Sequence, residues 1–290
     1  MKNIVFWFSG SGNSKFVASQ IAERVAAVDS DTTLLYIADL LKSGQTRFDL
    51  EAGGSVGFVF PTYFWGVPQI VKDFVSKIEL NGISDGGVVY QVLTCGGSTG
   101  MADMSFSRLL SRRGYKVSYT YSVSMPDNYC ILLDLMTPKE QILPLLEKAQ
   151  EKLDKVIPAI IDQCVTKKSP SGGELMIDRG ACPRLKSALL YPLYKYGRDT
   201  APFHADKNCI GCGKCEKVCP MGIISMSEGK PRWEKGKCTQ CLACLHHCPV
   251  ESVQYGNKTK GRLRYVIEKY LYLRYGITKR TIQGRLWPIK

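Results

Sequence analysis

The chain has 290 residues, 44% of them apolar, and a formal net charge of +13. That length suits one large domain or two ordinary ones, and the composition supports a sizeable core. No run approaches the 18 or more uninterrupted apolar residues of a membrane helix, and the N-terminus reads as a first strand with no cleavable leader, so a cytoplasmic protein is expected.

Residues 1–165 carry a net −2 and residues 166–290 a net +15, which marks a second unit with partners of its own. In the first part, strand-like runs alternate with helix-like ones. Strands are predicted at 3–8, 33–37, 55–60, 87–94 and 117–124, and helices near 14–27, 68–79, 102–113 and 137–163. Such alternation predicts a parallel sheet with helices on both faces. The first strand runs into "FSGSGNS" (8–14), a small, hydroxyl-rich turn ahead of a helix. Backbone N–H groups at a helix N-terminus favour an anion, most often a phosphate. The spacing is not that of a dinucleotide or nucleotide-triphosphate loop: Lys15 stands where a third glycine would fall, and no G-K-[ST] follows.

Two further loops lie at the carboxyl edge of this sheet, where open α/β sheets bind ligands. "PTYFWGVP" (61–68) holds three adjacent aromatics, and "TCGGSTG" (94–100) is small. A single aromatic near a turn reads equally well as core, whereas the set suits the face of a planar ring. "MPDNYC" (125–130) ends the fifth strand on the same edge, where Asn128 or Tyr129 closes the site or serves a turn.

Residues 166–202 are less regular, with a linker at 167–174 and a short helix interrupted by Pro192. Then "CIGCGKCEKVCP" (209–220) and "CTQCLACLHHCP" (238–249) align cysteine for cysteine, each followed by a strand-like stretch. The spacing C-x2-C-x2-C-x3-C-P puts three thiolates on one tight loop and turns the fourth away to complete the other cluster. A zinc module usually pairs two separated knuckles and has no use for the third cysteine. Disulfides do not suit a chain expected in a reducing compartment. Cys95, Cys130, Cys164 and Cys182 stand apart and read as ordinary thiols, Cys95 as a small filler. His246 and His247 read as solvated positions, and His204 has no evident partner. With three histidines and no serine–histidine–acid grouping, hydrolytic catalysis has little support. Residues 257–290 form a basic, aromatic tail, read as a helix packed on the cysteine-rich unit with its basic face in water. A nucleic-acid or anionic membrane surface is the alternative, or steering of an acidic redox partner.

The cysteine repeat closely resembles bacterial two-cluster ferredoxins. That resemblance implies one 4Fe-4S cluster on Cys209, Cys212, Cys215 and Cys248, and another on Cys238, Cys241, Cys244 and Cys219. The opening strand–loop–helix resembles the phosphate loop of flavodoxins. It implies FMN, its phosphate held by Ser9, Ser11, Gly12, Asn13 and Ser14. The ring would lie among Pro61, Thr62, Tyr63, Phe64, Trp65 and Gly66 and among Thr94, Cys95, Gly96 and Gly97. The whole chain is similar to flavodoxin–ferredoxin fusion proteins common in anaerobic bacteria. The implied fold is α/β: a flavodoxin-like, doubly wound five-stranded parallel sheet (1–165), a connecting segment (166–202), a small α+β two-cluster ferredoxin-like domain (203–256) and the tail. The implied activity is electron transfer between two 4Fe-4S clusters and FMN in anaerobic redox metabolism, with redox partner proteins or a small-molecule electron acceptor, and the basic tail adds an acidic ferredoxin or flavodoxin as one such partner. The alternatives are an FMN-dependent reductase of a quinone, nitro or azo compound and, from the tail, a nucleic-acid-binding protein. Flavodoxins are usually strongly acidic and this half is nearly neutral, so no partner surface carries over from them.

Overall fold

The computed structural model describes residues 1–83, 86–131, 134–166, 176–236 and 238–275. Five parallel strands form the main sheet: β1 (Asn3–Trp7), β2 (Thr32–Tyr36), β3 (Ser55–Pro61), β4 (Val88–Cys95) and β5 (Val117–Ser124). Their spatial order is β2-β1-β3-β4-β5. This is the flavodoxin-like order, which reverses direction between β1 and β3 and opens a crevice at the carboxyl ends there. The crossover helices are α1 (Asn13–Ala26), α2 (Ile37–Ser43), α3 (Gln69–Val75) and α4 (Ala102–Ser111), and α5 (Lys139–Ile160) follows the last strand.

Successive side chains of a strand point to opposite faces, so each strand feeds two cores. Phe6, Phe58 and Phe60 pack with Phe74 of α3 and Phe106 of α4 on one face. Val5, Val59 and Val92 pack with Ile21 of α1 and Leu153 of α5 on the other. The five predicted strands and four long helices all form. The helix predicted over 68–79 stops at Val75, since Glu79–Asn81 pairs in parallel with Arg47–Asp49 as a small separate ribbon. That ribbon and α2 were not predicted, being too short for a periodic signal.

The connecting segment contains α6 (Pro183–Tyr196), which runs through Pro192 without the predicted interruption. Proline removes the hydrogen bond to the carbonyl four residues back, that of Ala188. Ala188 and Pro192 are both exposed, so water takes up the freed carbonyl. The linker at 167–174 lies outside the described residues.

In the cysteine-rich unit β6 (Phe203–Ala205) pairs antiparallel with a later strand, Val253–Tyr255. Between them come the single turn α7 (Lys214–Lys217), the hairpin of β7 (Ile224–Ser227) and β8 (Lys230–Trp233), and a second single turn, α8 (Ala243–His246).

The tail departs from expectation. Its helix α9 (Ile267–Tyr275) does not float a basic face over the cysteine-rich unit. Tyr265, Ile267, Tyr270 and Leu271 are buried in the same core as Val5 and Ile21, closing the gap above α1 and α5. Arg264 is buried as well, its guanidinium donating to the carbonyls of Thr259 (3.1 Å) and Val253 (3.2 Å) and to Gln254 Oε1 (3.0 Å). Arg262 pairs with Asp134. Neither is a free steering charge, and a carboxylate at 264 would be an unpaired buried one. Lys279, Arg280, Arg285 and Lys290 lie outside the described residues.

Candidate functional site

All residues predicted to hold the flavin, except Gly12 and Gly66, line one cavity of about 300 Å³ at the carboxyl edge of the sheet. The phosphate loop lies between β1 and α1. Gly12 caps the helix with φ 98° and no side-chain cap bond, which leaves α1's first N–H groups facing outward. The Gly12 N–H itself donates to Ser9 Oγ (3.0 Å), and Asn128 donates its side-chain amide to Ser11 Oγ. Both serine oxygens therefore act as acceptors inside the loop, and both hydroxyl hydrogens remain available to an anion.

Asn13 and Ser14 are fixed by the protein. Asn13 Nδ2 donates to the Pro126 carbonyl (2.9 Å), its Oδ1 accepts from the Tyr265 hydroxyl (2.7 Å), and Ser14 Oγ bonds Thr94 Oγ1 (2.7 Å). These bonds hold the loop in shape, and both residues line the cavity. Gly12 is required by the tail: a Cβ there would fall 2.5 Å from Ile267 Cγ2. The Ile267 N–H also donates to the Ser11 carbonyl (3.0 Å), so the segment after the cysteine repeat holds the loop from behind.

The aromatic loop is a tight turn. Tyr63 and Gly66 exchange both backbone hydrogen bonds (3.0 Å each), and the central Phe64 (φ 49°) and Trp65 (φ 58°) are both left-handed. Bulky residues in that region cost roughly 1–3 kcal/mol each, strain that persists where the surroundings over-determine it. Here α6 does so. Tyr191 packs where Gly66 lacks a Cβ and donates to the Val67 carbonyl (2.8 Å), and Ser187 Oγ donates to the Trp65 carbonyl (2.9 Å). Phe64 and Trp65 are thereby presented to the cavity, Phe64 edge-on to Tyr129 at 4.8 Å. Gly96 makes room for Asp127, whose carboxylate would otherwise meet its Cβ at 2.3 Å. Burial pushes the Asp127 carboxyl up from the usual carboxylate range, and the residue lines the cavity. Burial likewise pushes the Cys95 thiol up to about 12, far from a reactive thiolate.

The cysteines gather into two cages. Cys209, Cys212, Cys215 and Cys248 line one cavity, and Cys219, Cys238, Cys241 and Cys244 line the other. The fourth cysteine of each copy stands with the first three of its partner copy. Among the described residues no three His, Cys, Asp or Glu side chains close on a single metal ion. Sulfurs standing around a space instead of a point fit a polynuclear cluster. N–H···S contacts of 3.2 Å run from Gln240 to Cys238 and from Ser252 to Cys248, the kind that orient and tune thiolate ligands. Burial pushes Cys238 up to about 11 and Cys241 and Cys244 further, so their deprotonation calls for a cation among them.

The second cage and the cavity at the carboxyl edge of the sheet share a wall. Gly10 of the phosphate loop lies against Cys241: a Cβ on Gly10 would stand 2.3 Å from the Cys241 carbonyl oxygen and 2.9 Å from its Cβ. The neighbouring Gln240 lines that cavity. The two cysteine loops repeat in backbone as well as sequence: Gly211 (φ 65°) and Gly213 (φ 68°) correspond to Gln240 (φ 50°) and Leu242 (φ 56°). The first copy uses glycine at the left-handed positions, and the second accepts strain to place a side chain. Gln240 Nε2 donates to the Gly197 carbonyl, which fixes the amide, while Oε1 is buried without a hydrogen-bond partner among the described residues. Thr62 Oγ1 is likewise buried without a partner among the described residues, and both residues line the cavity. Gln240→Gly should therefore raise the melting temperature, as the strain of about 1–2 kcal/mol is relieved, yet weaken FMN binding about tenfold by titration. Unchanged FMN affinity would show that the amide does not meet the ligand.

His246 is a structural strut and not a solvated position. It is 3% exposed; its Nε2 donates to the Asn128 carbonyl (2.9 Å) and its Nδ1 accepts from the Tyr265 N–H (3.3 Å). That pairing fixes one neutral tautomer, and burial pushes its pKa down to about 3. His204 has a partner after all, Asp206 at 3.3 Å. Tyr194, Lys186 and Gln240 of the cavity wall were missed by sequence reasoning. They come from segments with no flavin motif, and only the unusual glutamine in a glycine position of the repeat was a readable sign.

Comparison with known proteins follows the same division. Residues 208–262 match the 4Fe-4S dicluster domain family. Over 46 residues the chain is 46% identical to a component of the ion-translocating oxidoreductase complex of Methanosarcina acetivorans, covering 16% of this chain and 17% of that one. It is 32% identical over 57 residues to pyruvate synthase subunit PorD of Methanocaldococcus jannaschii, covering 19% of this chain and 66% of that one. The chain thus spans about a sixth of the length of the first relative. Among solved structures it is similar to a flavodoxin from the domain Archaea (16% identity, 54% of this chain and 99% of that chain, TM-score 0.32). It is similar also to a flavone reductase (12% identity, 86% of this chain and 85% of that chain, TM-score 0.34). The flavodoxin-like arrangement rests on the strand order. A dicluster domain joined to that fold supports electron transfer. No described helix is long and apolar enough to cross a membrane.

Proposed function

We propose that this chain relays single electrons between an external acidic carrier and FMN, by way of two 4Fe-4S clusters used in a fixed order. Iron–sulfur clusters exchange one electron at a time, and a flavin takes up one or two. The observation that carries the reading is the shared wall: Cys241 lies on Gly10 of the phosphate loop while its neighbour Gln240 lines the flavin cavity.

The cage of Cys219, Cys238, Cys241 and Cys244 is therefore the inner one. Cys241 and Cys244 are buried, as are Leu242 and Ala243 between them, and Tyr63 of the aromatic turn packs edge-on against Tyr194. The cage of Cys209, Cys212, Cys215 and Cys248 is the outer one, with Cys212 exposed and Ile210 64% exposed beside it. Lys207, Lys217 and Lys230 stand exposed around this rim, and Lys230 Nζ donates to the Cys209 carbonyl (3.4 Å). Glu216 and Glu251 are exposed near them, so any steering of a negative carrier to this exposed site rests on these individual lysines and not on a net positive surface.

Anaerobically purified protein is expected to carry iron for two four-iron clusters per FMN. In stopped-flow mixing with a reduced acidic ferredoxin, Lys207→Glu, Lys217→Glu and Lys230→Glu together should slow flavin bleaching about tenfold at low salt, with the gap closing as salt screens the surface. If the flavin is reduced equally fast with and without the outer cage, electrons bypass it and the order proposed is wrong.

A further inference from the structure

Helix α6 is amphipathic in the wrong sense for a surface helix. Its inner face is polar and aromatic: Ser187, Tyr191 and Tyr194 bond Trp65, Val67 and Thr239. Its outer face is apolar. Leu185, Leu189, Leu193 and Tyr196 are 58%, 63%, 47% and 77% exposed, with exposed Ala188 and Pro192 between them. Positions 185, 188, 189, 192, 193 and 196 follow the three-and-four spacing of a single helical stripe. Water ordinarily meets the polar side of such a helix, and a contiguous apolar patch facing out marks a surface with a partner.

The charges around the stripe say which partner. From Arg179 to Arg198 the sequence holds five basic residues and no acidic one. Arg179 is committed to Asp103, while Arg184 and Lys195 are exposed at the two ends of the stripe, followed by Arg198. A second copy laid on this helix would set these like charges against each other. One 14-residue helix face is also far short of the roughly 800 Å² per partner that a stable interface needs. A bilayer answers both points. Leucines enter the acyl boundary, a tyrosine sits at the headgroup level, and arginine and lysine at the stripe's ends meet lipid phosphates. At about 1.5 Å per residue α6 is roughly 21 Å long, suited to lying in the interface and too short to cross it.

We infer that α6 is an in-plane anchor that docks this protein on anionic bilayers. The helix carries Tyr194 and Lys186 on its other side into the flavin cavity, so the docked protein holds that cavity at the lipid surface. The inference is independent of the electron route proposed above.

The test is co-sedimentation of the full-length, cofactor-loaded protein with vesicles of phosphatidylcholine alone or with about a third phosphatidylglycerol, the anionic fraction supplying the surface potential. Binding is expected to the anionic vesicles and to be at least tenfold weaker to the neutral ones. Leu185→Glu, Leu189→Glu and Leu193→Glu together should abolish it, while flavin content and melting temperature stay those of the wild type. A separate Leu189→Trp variant checks insertion without charge reversal: brominated acyl chains should quench its added fluorescence. The inference is overturned if wild-type protein ignores anionic vesicles or if the triple glutamate variant binds them as well as wild type. It is equally overturned if the wild type proves to be a dimer that the triple variant dissolves, since a second copy would then cover the stripe.

Discussion

Gly10→Val is expected to disconnect the flavin from the iron–sulfur sites while leaving both loaded. The new side chain would meet the Cys241 carbonyl oxygen at 2.3 Å and the Cys241 Cβ at 2.9 Å. Neither is the far end of a flexible chain: one is backbone and the other lies a single bond from a cage sulfur. Relief must come from moving the cysteine loop off the phosphate loop, which in a well-packed junction costs roughly 1–3 kcal/mol. Gly10→Ala should show the same defect in milder form. Iron and flavin counts should stay near wild type, while stopped-flow reduction of the flavin through the clusters slows by more than about tenfold, the rate equivalent of 1.4 kcal/mol. Flavin bleaching at the wild-type rate in the valine variant would mean that electrons do not cross at this contact.

Cys219→Ser should empty the inner cage and spare the outer, although Cys219 belongs to the first cysteine motif. Its sulfur stands with Cys238, Cys241 and Cys244, and the outer cage keeps all four of its own cysteines. Iron per chain should fall by about half, as expected for loss of one of two equal clusters. The surviving paramagnetic signal of the reduced protein should be that of the exposed site. Flavin reduction by a protein donor should fail almost completely. Cys248→Ser is the mirror experiment and should empty the outer cage. Loss of the outer signal in the Cys219 variant would show the pairing to be reversed.

The sheet was legible because each strand is a compact apolar run and the longer helices keep their period, whereas the short α2 gave no such signal. The phosphate loop and the two ligand-edge loops were legible through their composition and position. Less was visible of what holds them. Asn13 reads as a phosphate donor, and what the sequence did not show is that its side-chain amide also bonds the Pro126 carbonyl and a tyrosine far along the chain. Gly12 and Gly66 read as ligand contacts, yet each serves a packing neighbour, Ile267 and Tyr191. His246 reads as a surface residue beside a cluster and is a buried link between three segments. In every case the missing information is a long-range contact, which leaves no periodic trace. The tail illustrates the cost of reading charge alone: its basic residues suggested a solvated face, while the tyrosines and isoleucine between them decided the packing.

The hydrogen bond from Tyr265 to Asn13 joins residues 252 positions apart. A ribosome adding about 5–20 residues per second makes Asn13 roughly 13–50 s before Tyr265. From residue 124 onward in that interval the sheet is already synthesised, with its gap above α1 open and the backs of Ser11 and Asn13 unsupported. The eight cage cysteines emerge before that seal does. The nascent chain therefore waits with its hydrophobic seam and its thiols exposed together. In that window metal loading, oxidation and chaperone capture compete, and the closing of one seam protects both halves at once.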